Sequence, residues 1–274
     1  MIRESEGVLS HFSLRYAGLE ERFSAANQAG FSSVGLYIAA FLEAEQSGVS
    51  SHRQRQLADH YNLVVAEIEA LRPWWGDDGD RRRPQEAEET AFRMADTFGC
   101  RYVQVIGPYH GSLDVAADHF AALCDRAAEH GLTVGIEFLP FNNIPDAGVA
   151  GEIVVAAGRP NGGVCVDSWH HFRGAADDGL LRALTAKWVA AVQIDDGPMK
   201  PDDPDYYTDC LENRRVPGEG EFDLVGFVRL LNDMDVSVPV SLEVISTELQ
   251  ALPAVEAAKR IHDGFRRVLA AAQA

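Results

Sequence analysis

Short apolar runs alternate with longer amphipathic stretches from one end of the chain to the other. Residues 8–14, 31–38, 63–68 and 102–106 read as strands. Four more follow: Leu132-Thr-Val-Gly-Ile-Glu137, Gly162-Gly-Val-Cys-Val-Asp167, Val189-Ala-Ala-Val-Gln193 and Pro239-Val-Ser-Leu-Glu243. Helical periodicity fills the intervals near 19–29, 51–60, 84–98, 113–130, 146–157, 175–186, 222–234 and 253–272. Pro84 suits a first helical turn, and Gly99 and Gly131 each stop a helix. Strands that alternate with helices pair in parallel, and eight such units close on themselves. No Pro/Gly/Ser-rich linker or shift in composition divides residues 1–274. The prediction is an α/β chain folded as one (β/α)8 TIM barrel.

The last four runs share one parity. Each ends on an oxygen-bearing side chain: Glu137, Asp167, Gln193 and Glu243. Two residues earlier stands a small one: Gly135, Cys165, Ala191 and Ser241. The intervening positions are large and aliphatic. Strand side chains alternate between faces, so small and polar groups point inward and aliphatic ones face the covering helices. Inward residues at strand C-termini converge on the reaction centre of a β/α barrel. Four oxygen donors there describe a site for one hard divalent cation. Asp167 also has a local alternative as a helix N-cap, and Gln193 as an ordinary hydrogen-bonding residue.

Composition narrows the partners. The 274 residues carry 42 acidic against 24 basic side chains, a formal charge of −18. That balance repels nucleic-acid phosphates, so a small-molecule substrate is expected and nucleic acid is not. The dense basic stretch Arg81-Arg-Arg83 is flanked by Asp77, Asp78, Asp80 and Glu86 and reads as a solvated loop entering a helix. No run approaches the ~18 apolar residues of a membrane span. The beginning of the chain lacks the layout of a signal peptide. Four scattered cysteines without a C-x-x-C pair fit reduced thiols, so a cytoplasmic location is expected. A homo-oligomer is left open.

The ordered motifs of 132–245 resemble those of the xylose-isomerase-like barrel superfamily of sugar isomerases and epimerases, a group that also includes dehydratases and endonuclease IV. The resemblance implies a cation held by a Glu, Asp, His, Glu quartet, which falls here on Glu137, Asp167, Gln193 and Glu243. Asp167-Ser-Trp-His170 is similar to the family's D-x-x-H, whose His contacts substrate, with His171 as the neighbouring choice. Arg214-Arg-Val-Pro-Gly-Glu-Gly220 resembles R-x-x-P-G-x-G, which implies a substrate contact for Arg214, with Arg215 as the alternative. Two departures stand out. Gln193 replaces the usual His, and its amide oxygen suits Mn²⁺, Mg²⁺ or Co²⁺ better than Zn²⁺. Asp195 replaces a Lys, which disfavours a phosphorylated substrate.

A cation polarising a carbonyl acidifies the α proton. Glu137 and Glu243 then serve as the catalytic acid and base. The leading expectation is a metal-dependent isomerase or epimerase of a small keto- or aldo-sugar or related polyol. The alternative is a lyase or dehydratase on the same site, because the same carbanion can expel a β leaving group. His110 and Trp74 are further candidates for substrate contact. Glu69, Phe12, Tyr37, Trp75 and Trp169 are candidates for the pocket wall.

Overall fold

The structure is a computed structural model that describes residues 2–3, 7–74 and 82–274. Eight parallel strands close in chain order: β1 Gly7–Leu9, β2 Ser33–Tyr37, β3 Val64–Leu71, β4 Tyr102–Ile106, β5 Thr133–Glu137, β6 Gly162–Asp167, β7 Val189–Gln193 and β8 Val240–Leu242. β8 returns to β1, with Ser241 opposite Val8. The predicted barrel is the observed fold.

The expected parity explains the layering. Val134, Ile136, Val164, Val166, Val192, Val240 and Leu242 point outward and are fully buried between the sheet and its helices. Burying each such side chain stabilises the fold by about 1.5–3 kcal/mol. On the inside, Tyr102, Cys165 and Ala191 pack together as a barrel floor. Gly135 is small because the Tyr102 phenol occupies its space: a Cβ there would stand 2.5 Å from the Tyr102 oxygen. The layer above this floor is polar.

Element boundaries moved where side chains capture the backbone. The first strand stops at Leu9, and His11–Leu14 forms a 3-10 turn instead of continuing it. Ser10 Oγ accepts from Phe12 N at 3.1 Å, and Ser13 Oγ donates to Leu242 O at 2.7 Å. Such local bonds compete with a strand ladder. The predicted helix over 175–186 resolves into Asp178–Ala183 and a 3-10 turn at Ala186–Trp188, and a separate helix Ser168–Arg173 precedes them. A helix Ile38–Gln46, not expected from the sequence, follows β2 without a break.

The long connection after β7 contains a second unexpected helix, Tyr206–Glu212, capped by Asp205, which accepts from Thr208 N at 2.8 Å. The chain then turns back across itself through an Asp196–Arg215 bridge. Buried Asp196 holds that turn by accepting from Gly197 N, Gly218 N and Phe222 N. This fold-back places Arg214 over the barrel.

Among the described residues no helix is long and apolar enough to cross a membrane. The four cysteines are free and buried. Trp75 and Arg81 lie outside the described residues, as do the side chains of Arg82 and Arg83.

Candidate active site

Glu137, Asp167 and Gln193 close β5, β6 and β7, and Glu243 directly follows β8; all four are buried. They form one connected set. Gln104, the inward residue of β4, donates from Nε2 to Glu137 Oε2 at 2.9 Å. With its amide turned so that donors meet acceptors, Gln193 donates to Glu137 Oε1 at 3.0 Å and to Asp167 Oδ2 at 3.2 Å. It also accepts from Gln104 Nε2 at 3.1 Å. Asp167 Oδ2 continues the set to Arg214 Nη1 at 3.1 Å, and Arg214 Nη1 reaches Glu243 Oε2 at 3.0 Å.

Asp167 takes the local role of helix N-cap that the sequence offered, and one of its oxygens is left over. Its Oδ1 accepts from His170 N at 3.0 Å and caps the helix Ser168–Arg173, leaving Oδ2 for the site. The cap turns His170 back over the mouth, where Nε2 lies 3.2 Å from Glu137 Oε1. Its Nδ1 lies 2.8 Å from the Tyr206 hydroxyl.

Arg214 is buried rather than open to the mouth, with a relative exposure of 2%. Its Nη1 is shared by Asp167, Asp195 and Glu243, and its Nε donates to Cys210 O at 3.1 Å. Asp195 is itself held by Ser168, whose Oγ donates to Asp195 Oδ1 at 3.1 Å. Burial pushes the Asp195 carboxyl well above the usual range; Asp167 adds to this and Arg214 opposes it. Burial likewise raises Glu243, with Arg214 opposing and Glu137 and Asp167 adding.

The donor set fits a divalent cation. Glu137, Asp167 and His170 can each offer a ligand atom within 4.8 Å of the others, all three buried. Buried carboxylates at 137, 167, 195 and 243 outnumber the one guanidinium among them, and buried anions need a partner cation. His170 enters this group of three from the position the motif gave to a substrate contact.

Other expected residues lie farther out. Trp74 is buried in the hydrophobic core, edge-on to Phe120 with ring centroids 5.9 Å apart. His110 is exposed in the loop after β4. Trp169 is fully buried and stacks with Arg173, whose guanidinium carbon is 4.5 Å from the ring centroid. Phe12 and Tyr37 pair at 5.0 Å on the β1–β2 side of the mouth. Two members of the site escaped the sequence reading. Gln104 was legible from β4 parity, since it alternates inward with Tyr102 and Ile106. Tyr206 had no such signal, because it sits in an irregular connection.

A closed β/α barrel with buried acidic donors at its C-terminal mouth is a fold class with a candidate cation centre. Within that class the chain belongs to the xylose isomerase-like TIM barrel family, which it matches over residues 23–268. It is 28% identical to the 3-dehydroshikimate dehydratase of Pseudomonas aeruginosa over 264 residues, 92% of this chain and 39% of that protein. The chain thus spans about two fifths of the length of the dehydratases it matches. It is 33% identical to the inosose isomerase of Halalkalibacterium halodurans over 144 residues, 52% of this chain and 49% of that protein. Among solved structures, the IOLI protein with a bound zinc atom superposes with a TM-score of 0.87 at 19% identity. That alignment covers 96% of this chain and 98% of the other, a likeness of fold.

Proposed function

We propose that this chain is a divalent-cation-dependent lyase that dehydrates a small cyclic hydroxyketone or keto acid. The observation that carries this reading is an asymmetry in the site. Glu137 is coupled to a histidine, whereas Glu243 is tied to buried Arg214. Epimerisation needs two free proton-transfer groups on opposite faces, but elimination needs one base and one nearby acid. The match to dehydratases over 92% of the chain supports the same choice.

Glu137, Asp167 and Glu243 are the residues that would hold the cation, and Gln193 would join them with its amide turned to present oxygen, leaving His170 as the proton donor. When bound, Mn²⁺, Mg²⁺ or Co²⁺ supplies polarisation of a substrate carbonyl. Glu137 takes the α proton, and that electron pair becomes the new carbon–carbon double bond. The β carbon–oxygen bond breaks, and His170 gives its proton to the departing hydroxide, which leaves as water. Glu137 then returns the captured proton to His170 across their 3.2 Å contact.

Isomerisation or epimerisation, with Glu137 and Glu243 as the acid–base pair, is the second reading, favoured by likeness to inosose isomerases over half the chain. The motifs alone put these two readings in the opposite order, and the pairing of Glu243 with Arg214 exchanges them.

The test is product analysis. Protein stripped of metal and resupplied with Mn²⁺, Mg²⁺ or Co²⁺ is incubated with 3-dehydroshikimate, inososes and a panel of ketoses. Cation-dependent loss of water from one of them is the expected result. An epimer or isomer formed without elimination would transfer the assignment to the second reading. Absence of both cation binding and turnover across the panel would remove both.

A further inference from the structure

A cavity of about 430 Å³ opens between the turn after β1 and the helix Ile38–Gln46. None of Glu137, Asp167, Gln193, Glu243 and His170 lines it, so it is a space apart from the cation centre. Its walls include the Phe12 and Tyr37 rings, with centroids 5.0 Å apart, and Ala40 and Ala44 of that helix. Its charged side chains are Arg15, Arg22 and Glu43.

Arg22, in the helix Leu19–Ala29, is the unusual member. It is buried, with a relative exposure of 3%. Its Nε and Nη2 donate to Leu14 O, and Nη2 also donates to Ala17 O at 2.7 Å. Nη1 makes no hydrogen bond among the described residues, and no carboxylate among them lies within ion-pair distance of the guanidinium. Other buried guanidiniums find such a partner: Arg173 meets Asp209 at 3.1 Å, and Arg214 meets Glu243 at 3.0 Å. A buried charge without a counter-ion is costly. Burial pulls the Arg22 guanidinium down to about 10, with Glu69 and Glu21 opposing from a distance. Arg15 donates to Gln250 at 3.2 Å and likewise meets no carboxylate among the described residues. The cavity therefore holds two guanidiniums against one carboxylate, in a chain whose formal charge is −18. His11, which also lines it, has a buried Nδ1 without a partner.

We infer that this cavity binds a small aromatic carboxylate, its anionic group on Arg22 Nη1 and Arg15 and its ring against Phe12 and Tyr37. Guanidinium N–H groups match a carboxylate in charge and direction. The tilted aromatic pair offers a surface on which a flat ring gains contact. A phosphate ester would bring a second charge and a polar body to walls that are largely apolar. The inference does not rest on the proposed dehydration, because no cation residue takes part in it.

Benzoate is the probe, with benzamide as its uncharged analogue and acetate as the anion without a ring. Titration calorimetry of the full chain should show saturable binding of one benzoate, equally tight in metal-free protein and in protein saturated with Mn²⁺. Benzamide and acetate should each bind at least about tenfold more weakly, since each lacks one half of the recognition. Arg22 also holds two backbone carbonyls, so its contact is read in wild type rather than in a variant that could disturb the turn. In chain ¹⁵N-labelled at arginine, the Arg22 guanidinium resonances should move as benzoate is added. Arg15→Gln and Phe12→Leu, which leave Arg22 in place, should each weaken benzoate binding about tenfold. Absence of saturable binding would overturn the inference, as would an Arg22 signal that benzoate leaves unmoved. Benzamide bound as tightly as benzoate, or wild-type affinity in either variant, would overturn it too. An affinity that requires Mn²⁺ would move the acid to the cation centre and refute a separate site.

Discussion

On the β1–β4 side of the mouth, Glu69 is fully buried and held by neutral donors: Ser10 Oγ at 2.9 Å and His11 N at 3.0 Å. On the β5–β8 side, Glu243 is also buried but faces a guanidinium and the carboxylates of Glu137 and Asp167, with Glu69 adding least. Both are glutamates near the C-terminal end of a strand, Glu69 two residues inside β3 and Glu243 just past β8. The first ties β3 to the turn after β1, and Gly35 is bare because a Cβ there would lie 1.7 Å from Glu69 Oε1. The second belongs to a cluster whose negative charge exceeds its positive charge. A strand-end carboxylate becomes a candidate ligand through its neighbours, whatever its position along the strand.

The largest effects should come from attacking the charged side. Glu137→Gln should lower turnover by about 10²–10⁴-fold with cation saturating, as removal of a proton-transfer group typically does, whereas Glu243→Gln should act mainly by weakening cation binding. Gln193→His keeps a donor at that position and should retain most activity. Near-wild-type rates in Glu137→Gln would exclude it as the base and erase the distinction between the two sides.

Arg214→Met tests the same side through stability. It leaves Asp167, Asp195 and Glu243 without their guanidinium, and removing one partner of a buried pair costs about 3–5 kcal/mol. Denaturant unfolding of the metal-free chain should show that loss, and added Mn²⁺ should recover part of it. Equal loss with and without Mn²⁺ would mean that no cation can share the carboxylates.

Glu69→Gln sharpens the other side through pH. Burial lifts the Glu69 carboxyl from 4.5 to about 7, opposed by the His11 amide, Ser10 and Arg22. Its folded pKa lies above the unfolded value, so its contribution is fully present below about 4.5 and is lost as pH rises through about 7. Wild type should therefore lose stability relative to Glu69→Gln between those limits, by at most about 3 kcal/mol at 1.36 kcal/mol per unit. A pH-independent difference between the two would show that the carboxyl titrates as in the unfolded chain.

The barrel was legible because alternation and chain order are properties of the sequence. Val134 and Ile136 outside, Gly135 and Glu137 inside, is a pattern that only one register of β5 satisfies. The four strand-end donors followed from the same rule. What sequence could not supply was contact across the mouth. Arg214 reads as a substrate contact because its neighbours resemble a motif, yet its burial depends on the Asp196 fold-back and on Asp195, which the motif does not contain. Tyr206 lies 36 residues from His170, and no periodicity links the two. The 3-10 turn at His11–Leu14 was hidden for a related reason: it depends on Ser13 reaching Leu242 at the far end of the chain.

The cysteines give these two sides a common clock. Burial pushes the Cys100, Cys124 and Cys210 thiols up to about 12, and it raises Cys165 within the barrel floor as well. Only a thiolate attacks an alkylating reagent, so a closed molecule is nearly inert and each cysteine reacts through the openings that expose it. Cys165 is reached only when the barrel itself parts. Cys210 sits in the helix that carries Tyr206, so it is exposed when that connection lifts. The ratio of their alkylation rates measures how often the mouth opens for each time the whole fold comes apart.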